Sequence, residues 1–361
     1  MKKIIINKIE LLSFLVFSFA LALSSCKKDS DGSPSVKAGT PILESITPAL
    51  ASGGDLITLK GSGLGDMRSI IFEKDSIPAY LMSTLNTENV ILFRVPSDGI
   101  GGAQNIIFIN SAGKTLVVPF NVLAFPQVSS VSNYDFVKGD LITLTGTNLN
   151  DVTDVLLTGT TVHATIISKV KTKLVISMPA TTVTRATLDI TNVTGMITTT
   201  MEFVSITNNF VMYADAWGPG AYNSGVQSWS YGCNVSETSQ EFKTGTKSLK
   251  VDYADGGLSL FLGSDWGDPM HVFTDWYAPA FMTFWAKGGG KDVSLLIKTD
   301  KPPDDGTYSG AGDKIVSVPK DVWTYFKIPA GTWTGKYGRL NIIISGSTSR
   351  TVYFDDLLYI K

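Results

Sequence analysis

The stretch "GDLITLKGSGL", starting at Gly54, returns almost unchanged as "GDLITLTGTNL", starting at Gly139, an offset of 85 residues. Pro41 and Pro126 stand at the same offset, and "VPS" (95–97) and "MPA" (178–180) recur near it. A repeat of that length is too long for a solenoid unit and suits a small sandwich domain. Within each copy apolar and polar residues alternate. Leu56, Thr58 and Lys60 face one way, Ile57 and Leu59 the other. β-Branched residues dominate stretches such as "TDVLLTGTTVHATII" (153–167), with Gly, Asn and Asp as punctuation, and no run of helical period competes. The chain is therefore expected to be all-β, with antiparallel sandwiches over 41–124 and 125–206.

Past residue 206 the character changes. All seven tryptophans and ten of the twelve tyrosines lie in 207–361, about 155 residues and one domain's worth. Strand signals continue through "KSLKVDY" (247–253), "FMTFWAKG" (281–288), "VSLLIKT" (293–299), "WTYFKIP" (323–329), "LNIIISG" (340–346) and "TVYFDDLLYI" (351–360). Between them run loops rich in Gly, Asp and Pro. One of these, "SDWGDPMHVFTDWYAP" (264–279), carries Trp266, His271, Trp276 and Tyr277 on a stretch whose prolines and aspartates mark it as surface loop. A second, "AWGPGAYNSGVQSWSYG", carries Trp217 and Trp229.

The N-terminus is a targeting segment. Lys2 and Lys3 precede the apolar run "LLSFLVFSFALAL" (11–23), which is too short to span a bilayer comfortably and is followed by "LSSC" ending at Cys26. "KKDSDGSPSVKAGT" then reads as a flexible tether, giving a leader over 1–25 and a tether over 26–40. Formal net charge is −2, with no Lys/Arg cluster beyond the N-terminus, which argues against a nucleic-acid partner.

Several resemblances rest on these residues. "LSSC" resembles the bacterial lipobox, which implies a lipidated Cys26 anchored in the outer membrane; the lysines and aspartates behind it are similar to surface-export signals of Bacteroidetes lipoproteins. Pro41-x-Leu43-x-x-Ile46-x-Pro48 followed by the Gly-Asp motif resembles IPT/TIG immunoglobulin-like domains, which mostly act as spacers. The second copy departs from the pattern, with Ser132 and Asn133 where Pro48 would be matched. "TGTKSLKV", "FWAKG", "VWTYFKIP" and "VYFDDLLYI" together resemble jelly-roll carbohydrate-binding modules. The whole layout resembles the surface glycan-binding lipoproteins of Bacteroidetes polysaccharide-utilisation loci. That resemblance implies a non-enzymatic protein that holds a β-glucan, xyloglucan or a relative, for a neighbouring glycanase and a TonB-dependent transporter, with no cofactor.

Physical chemistry agrees with that implication. The C–H face of a pyranose matches a flat indole or phenol, and each stacked sugar sheds apolar surface for up to ~2 kcal/mol. Trp266, Trp276 and Tyr277 are then the candidate platform, His271 a polar contact, and Trp217 and Trp229 a second wall. Neighbouring Trp276 and Tyr277 can touch one ligand only if the chain turns there. The competing reading makes these rings hydrophobic core. Trp285 and Trp323, inside strand signals, read as core or lid, and Trp333 is open.

A hydrolase or an adhesin would share this layout. Glycoside hydrolysis requires two carboxylates roughly 5–9.5 Å apart. The only glutamates beyond 206, Glu237 and Glu241, sit together in "SETSQEF", which reads as an exposed loop. With His163 and His271 as the only histidines, no multi-histidine zinc site can form. Asp355–Asp356 resembles a calcium-ligating pair of jelly-roll modules, and equally suits solvated aspartates at a strand end. Cys233 reads as a small buried hydrophobe.

Overall fold

The computed structural model describes residues 36–218, 221–226, 230–262, 279–300, 313–330, 339–345 and 349–361. They are built from strands with only short 3₁₀ turns, in β-sandwich sheets as expected. They form two compact units, one ending at Ala124 and the other spanning Phe125–Lys361.

In the first unit, strands Ile42–Thr47, Leu56–Ser62 and Val90–Arg94 form one antiparallel sheet. Leu50–Ser52, Thr115–Leu123, Gly102–Asn110, Met67–Phe72 and Ile77–Pro78 form the other. The alternation of the repeat decides what lies between them. Ile57 and Leu59 point inward with Ile91 and Phe93, and meet Ile70, Phe72, Phe108 and Phe120. Phe72 sets its ring edge-on to both Phe93 and Phe120, the arrangement that aromatic quadrupoles favour.

The second unit opens with a sandwich built to the same rules, with Ile142, Leu144, Val155, Leu174, Ile176, Ile190 and Phe203 in its core. The repeated motif now has a physical reading. Gly54 and Gly139 both hold positive φ, +90° and +97°, where only glycine is unstrained. Asp55 and Asp140 each accept a backbone amide three residues upstream, from Ser52 and Val137, at 2.8 Å. Gly61 and Gly146 lie where the preceding strand crosses: a Cβ would come within 2.0 Å of the Ile42 carbonyl oxygen, or 1.7 Å of that of Gln127.

The rest of the second unit is a larger β-sandwich. Its organising element is the 15-residue strand Ser248–Leu262. The first half pairs with Arg350–Ile360, and the second half with Arg339–Ile344. One strand thus joins both partners within one connected sheet. The core of the sandwich holds Tyr253, Leu258, Leu260, Phe284, Leu295, Ile297, Ile342 and Phe354. Each fully buried aliphatic or aromatic side chain contributes about 1.5–3 kcal/mol. A smaller patch, Val204 and Ile206 with Leu358 and Ile360, joins this sandwich to the one before it.

Candidate functional site

Strand register gathers several chain connections at one end of the terminal sandwich. Ala221 pairs with Leu262, Phe261 with Arg339, and Asp300 also with Arg339. The ends of four strands, Ala221–Val226, Ser248–Leu262, Val293–Asp300 and Arg339–Ile344, therefore lie side by side. The segments 263–278, 301–312 and 331–338 depart from or return to that end. Trp266, His271, Trp276, Tyr277 and Trp333 belong to these segments and lie outside the described residues, as do Trp229 and Cys26.

The same strands offer a polar sheet face that the sequence reading missed. Leu258, Leu260, Leu340 and Ile342 point into the core, so the residues between them point away from it. Ser259 and Asn341 are register partners on that second face, and Lys298 pairs with Asn341 from the next strand. Ser259 Oγ donates to Asn341 Oδ1 at 2.5 Å, and the Ser259 amide donates to Ser230 Oγ at 2.9 Å. Ser259 and Asn341 are buried, 2% and 5% exposed, so these groups form an internal hydrogen-bond network that ties neighbouring strands together. The signal was present: a lone serine in "GLSLF" and a lone asparagine in "RLNIII" interrupt otherwise apolar strands.

Trp217 is described. It sits in the two-residue strand Ala216–Trp217, half-buried, with its ring edge-on to the fully buried Tyr213 at 5.2 Å. It packs against the core, so only part of the indole is available to a ligand. Tyr231 is open to solvent. Cys233 is half-buried and its thiol is pushed up by burial, which suits a packing role.

Two expectations about acidic residues are corrected. Glu237 is part of the Tyr231–Thr238 strand, not a loop, and pairs with Lys247 at 2.9 Å; Glu241 pairs with Lys287 at 2.6 Å. Asp355 and Asp356 are not solvated at a strand end. They lie inside Arg350–Ile360 and are fully buried. Asp355 Oδ2 accepts the amides of Lys243 and Thr244, its Oδ1 the amide of Asp356, and Asp356 Oδ2 the Thr244 hydroxyl. Among the described residues no group of His, Cys, Asp or Glu is arranged to hold a metal ion. His163 forms an isolated bridge with Leu156, its ring exposed and 2.7 Å from Asp154.

Trp285 proves to be a buried contact between the second and third sandwiches, 5% exposed. On the strand Phe281–Gly289, Met282 and Phe284 face the core while Trp285 faces the second sandwich. Its Nε1 donates to Asp135 Oδ2 at 3.0 Å, and the Tyr325 hydroxyl donates to Asp135 Oδ1 at 3.0 Å. Tyr134 stacks on Trp285 at 5.8 Å and lies 4.7 Å from Tyr325. The Lys243 ammonium sits 4.2 Å from the centre of the Trp285 ring and donates to the Ser132 carbonyl. Burial pushes the Asp135 carboxyl well above the usual carboxylate range; the Tyr325 and Trp285 bonds pull it back, Asp355 raises it again and Lys243 lowers it. A second contact lies nearby, where Glu202 pairs with both Arg185 and Lys327 and both cations stand over the Phe281 ring.

No protein-family model matches the chain, and no curated protein matches it. Solved structures do. The surface glycan-binding protein PbSGBP-B from Prevotella bryantii is 17% identical, with a TM-score of 0.54 over 90% of this chain and 99% of that one. SGBP-B from a complex xyloglucan utilization locus in Bacteroides uniformis is 15% identical, with a TM-score of 0.42 over 88% and 98%. These structural neighbours are surface glycan-binding proteins of Bacteroidetes, and the likeness to the first establishes a shared fold along nearly the whole of both chains.

Proposed function

We propose that the protein is a non-catalytic polysaccharide-binding protein whose terminal sandwich captures a β-glucan-type glycan, xyloglucan or a related polymer. The observation that carries this reading is the side-by-side ending of four strands of the terminal sandwich, whose connecting sequence holds Trp266, Trp276, Tyr277 and Trp333. Stacking rings on those connections would contribute the affinity. The fold shared with PbSGBP-B supports the same class of function, and the β-glucan class follows the resemblance of the sequence layout.

A hydrolytic role finds no support among the described residues. Both glutamates of the terminal domain are engaged with lysines, and Asp355 and Asp356 are buried under amide donors. We further infer domain limits at 41–124, 125–206 and 207–361. Lipidation at Cys26 would hold the body at the outer-membrane surface, where a TonB-dependent transporter is the partner expected. Among the described residues no helix is long and apolar enough to cross a membrane, and anchoring by lipid requires none.

Affinity electrophoresis of the full chain through gels containing xyloglucan, mixed-linkage and β-1,3-glucans, mannan, xylan or starch tests the reading. The expected result is retardation by one or more β-glucans and none by starch. Migration unaffected by every polysaccharide would remove the glycan-binding proposal and leave the adhesin reading.

A further inference from the structure

The sandwich over 127–205 is more than a length of spacer. We propose that it is a structural part of the terminal domain, fixed through Asp135, so that residues 125–361 fold and unfold as one body. This goes beyond glycan capture and holds whatever the ligand is.

Three observations carry it. First, each side leaves the other incomplete. Asp135, fully buried, takes both of its hydrogen bonds described above from Trp285 and Tyr325, side chains some 150 residues away or more. Without the sandwich, the faces of Trp285, Tyr325, Leu358 and Ile360 would meet water. Second, the charges belong to one site. Asp135, Asp355 and Asp356 are all buried and all act electrostatically on Lys243, whose backbone amide bonds Asp355 and whose ammonium lies over Trp285 and bonds Ser132 across the junction. Such groups are tolerated only when the surroundings over-determine them. Third, the contact is particular to this copy of the repeat. At the 85-residue offset, Tyr134 and Asp135 correspond to Ala49 and Leu50, and Leu50 is 51% exposed.

The tryptophans supply a selective probe, because all seven lie beyond residue 206. Leu59 and Leu144 occupy the same place in the two copies and both are fully buried. Each should be changed to alanine in the full chain, and thermal unfolding followed by tryptophan emission. We expect Leu144→Ala to lower the tryptophan midpoint by roughly 5–20 °C, although residue 144 lies in a different sandwich from every tryptophan. Leu59→Ala should leave that midpoint in place. Ile142→Val, a milder deletion in the same core, should lower it by roughly 1–6 °C, and it decides the matter if Leu144→Ala fails to fold. In an Asp135→Ala background the tryptophan midpoint should no longer follow Ile142→Val. A tryptophan midpoint that ignores both Leu144→Ala and Ile142→Val, or that moves equally with Leu59→Ala, would overturn the proposal.

Discussion

The two copies of the repeat share their folding instructions and differ in what surrounds them. Both use glycine at positive φ before the strand that carries the repeated motif, an aspartate that caps the turn, and a second glycine where strands cross. Among their differences, one lies where the second copy meets the terminal sandwich. The first copy runs Pro48-Ala49-Leu50, whereas the second runs Asn133-Tyr134-Asp135. Leu50 is half out in solvent, and Asp135 is sealed against Trp285 and Tyr325. Tyr134 and Asp135 thus belong to a joint that also uses Ser132, Glu202, Val204 and Ile206. A repeat conserves what the fold needs and departs where a neighbour must be met.

Changes at the joint should hurt in proportion to what they bury, and matched changes in the first copy should not. Trp285→Ala should have the largest effect, lowering stability of the second unit by about 3–5 kcal/mol in denaturant titration. Asp135→Ala should follow at about 2–4 kcal/mol, because it orphans two buried donors. Leu50→Ala, its counterpart, should stay within about 0.5 kcal/mol. Equal effects at 50 and 135 would erase the distinction between the copies.

The pH dependence sharpens the same contrast. A buried carboxyl whose folded pKa is raised favours the protonated state, so its contribution is fully present below about pH 4 and is lost as pH rises. For Asp135, pushed up by burial to about 8, that loss extends from about pH 4 to about pH 8. Asp135→Asn should flatten the decline in melting temperature of the second unit across this window. An unchanged slope would place the proton elsewhere. Glu202→Gln should have the smallest effect at the joint, below about 1 kcal/mol, since its ion pairs are partly exposed and screened by solvent.

Many strands could be read from alternation and turn chemistry, and "FMTFWAKG" and "TVYFDDLLYI" appear within a residue of their observed limits. The strands Ala221–Val226 and Tyr231–Thr238, by contrast, fall in stretches read as loop because glycines and polar residues break their alternation. The joint could not be read. Asp135 and Trp285 are brought together only by tertiary structure, and charged residues default to solvent unless a partner is known. The one available hint was the departure from the repeat at Asn133. Asp355 and Asp356 misled for the same reason. Ser259 and Asn341 were overlooked because each lies in an apolar run, where a single polar residue marks a second face only once the sheet is known.

On the proposed function, glycan is held by the terminal domain's aromatic segments and not by the tandem sandwiches. The most direct test compares two full-length variants in the β-glucan gel that retards the parent chain. One carries Trp266→Ala with Trp276→Ala; the other carries Tyr80→Ala, which removes the first sandwich's most exposed aromatic, 77% open to solvent. Removing two stacked rings should weaken binding by at least about tenfold, at about 1–2 kcal/mol per ring, with the melting temperature unchanged. Tyr80→Ala should migrate as the parent does. Undiminished retardation of the tryptophan variant, or loss of retardation on removing Tyr80, would place the glycan site away from Trp266 and Trp276.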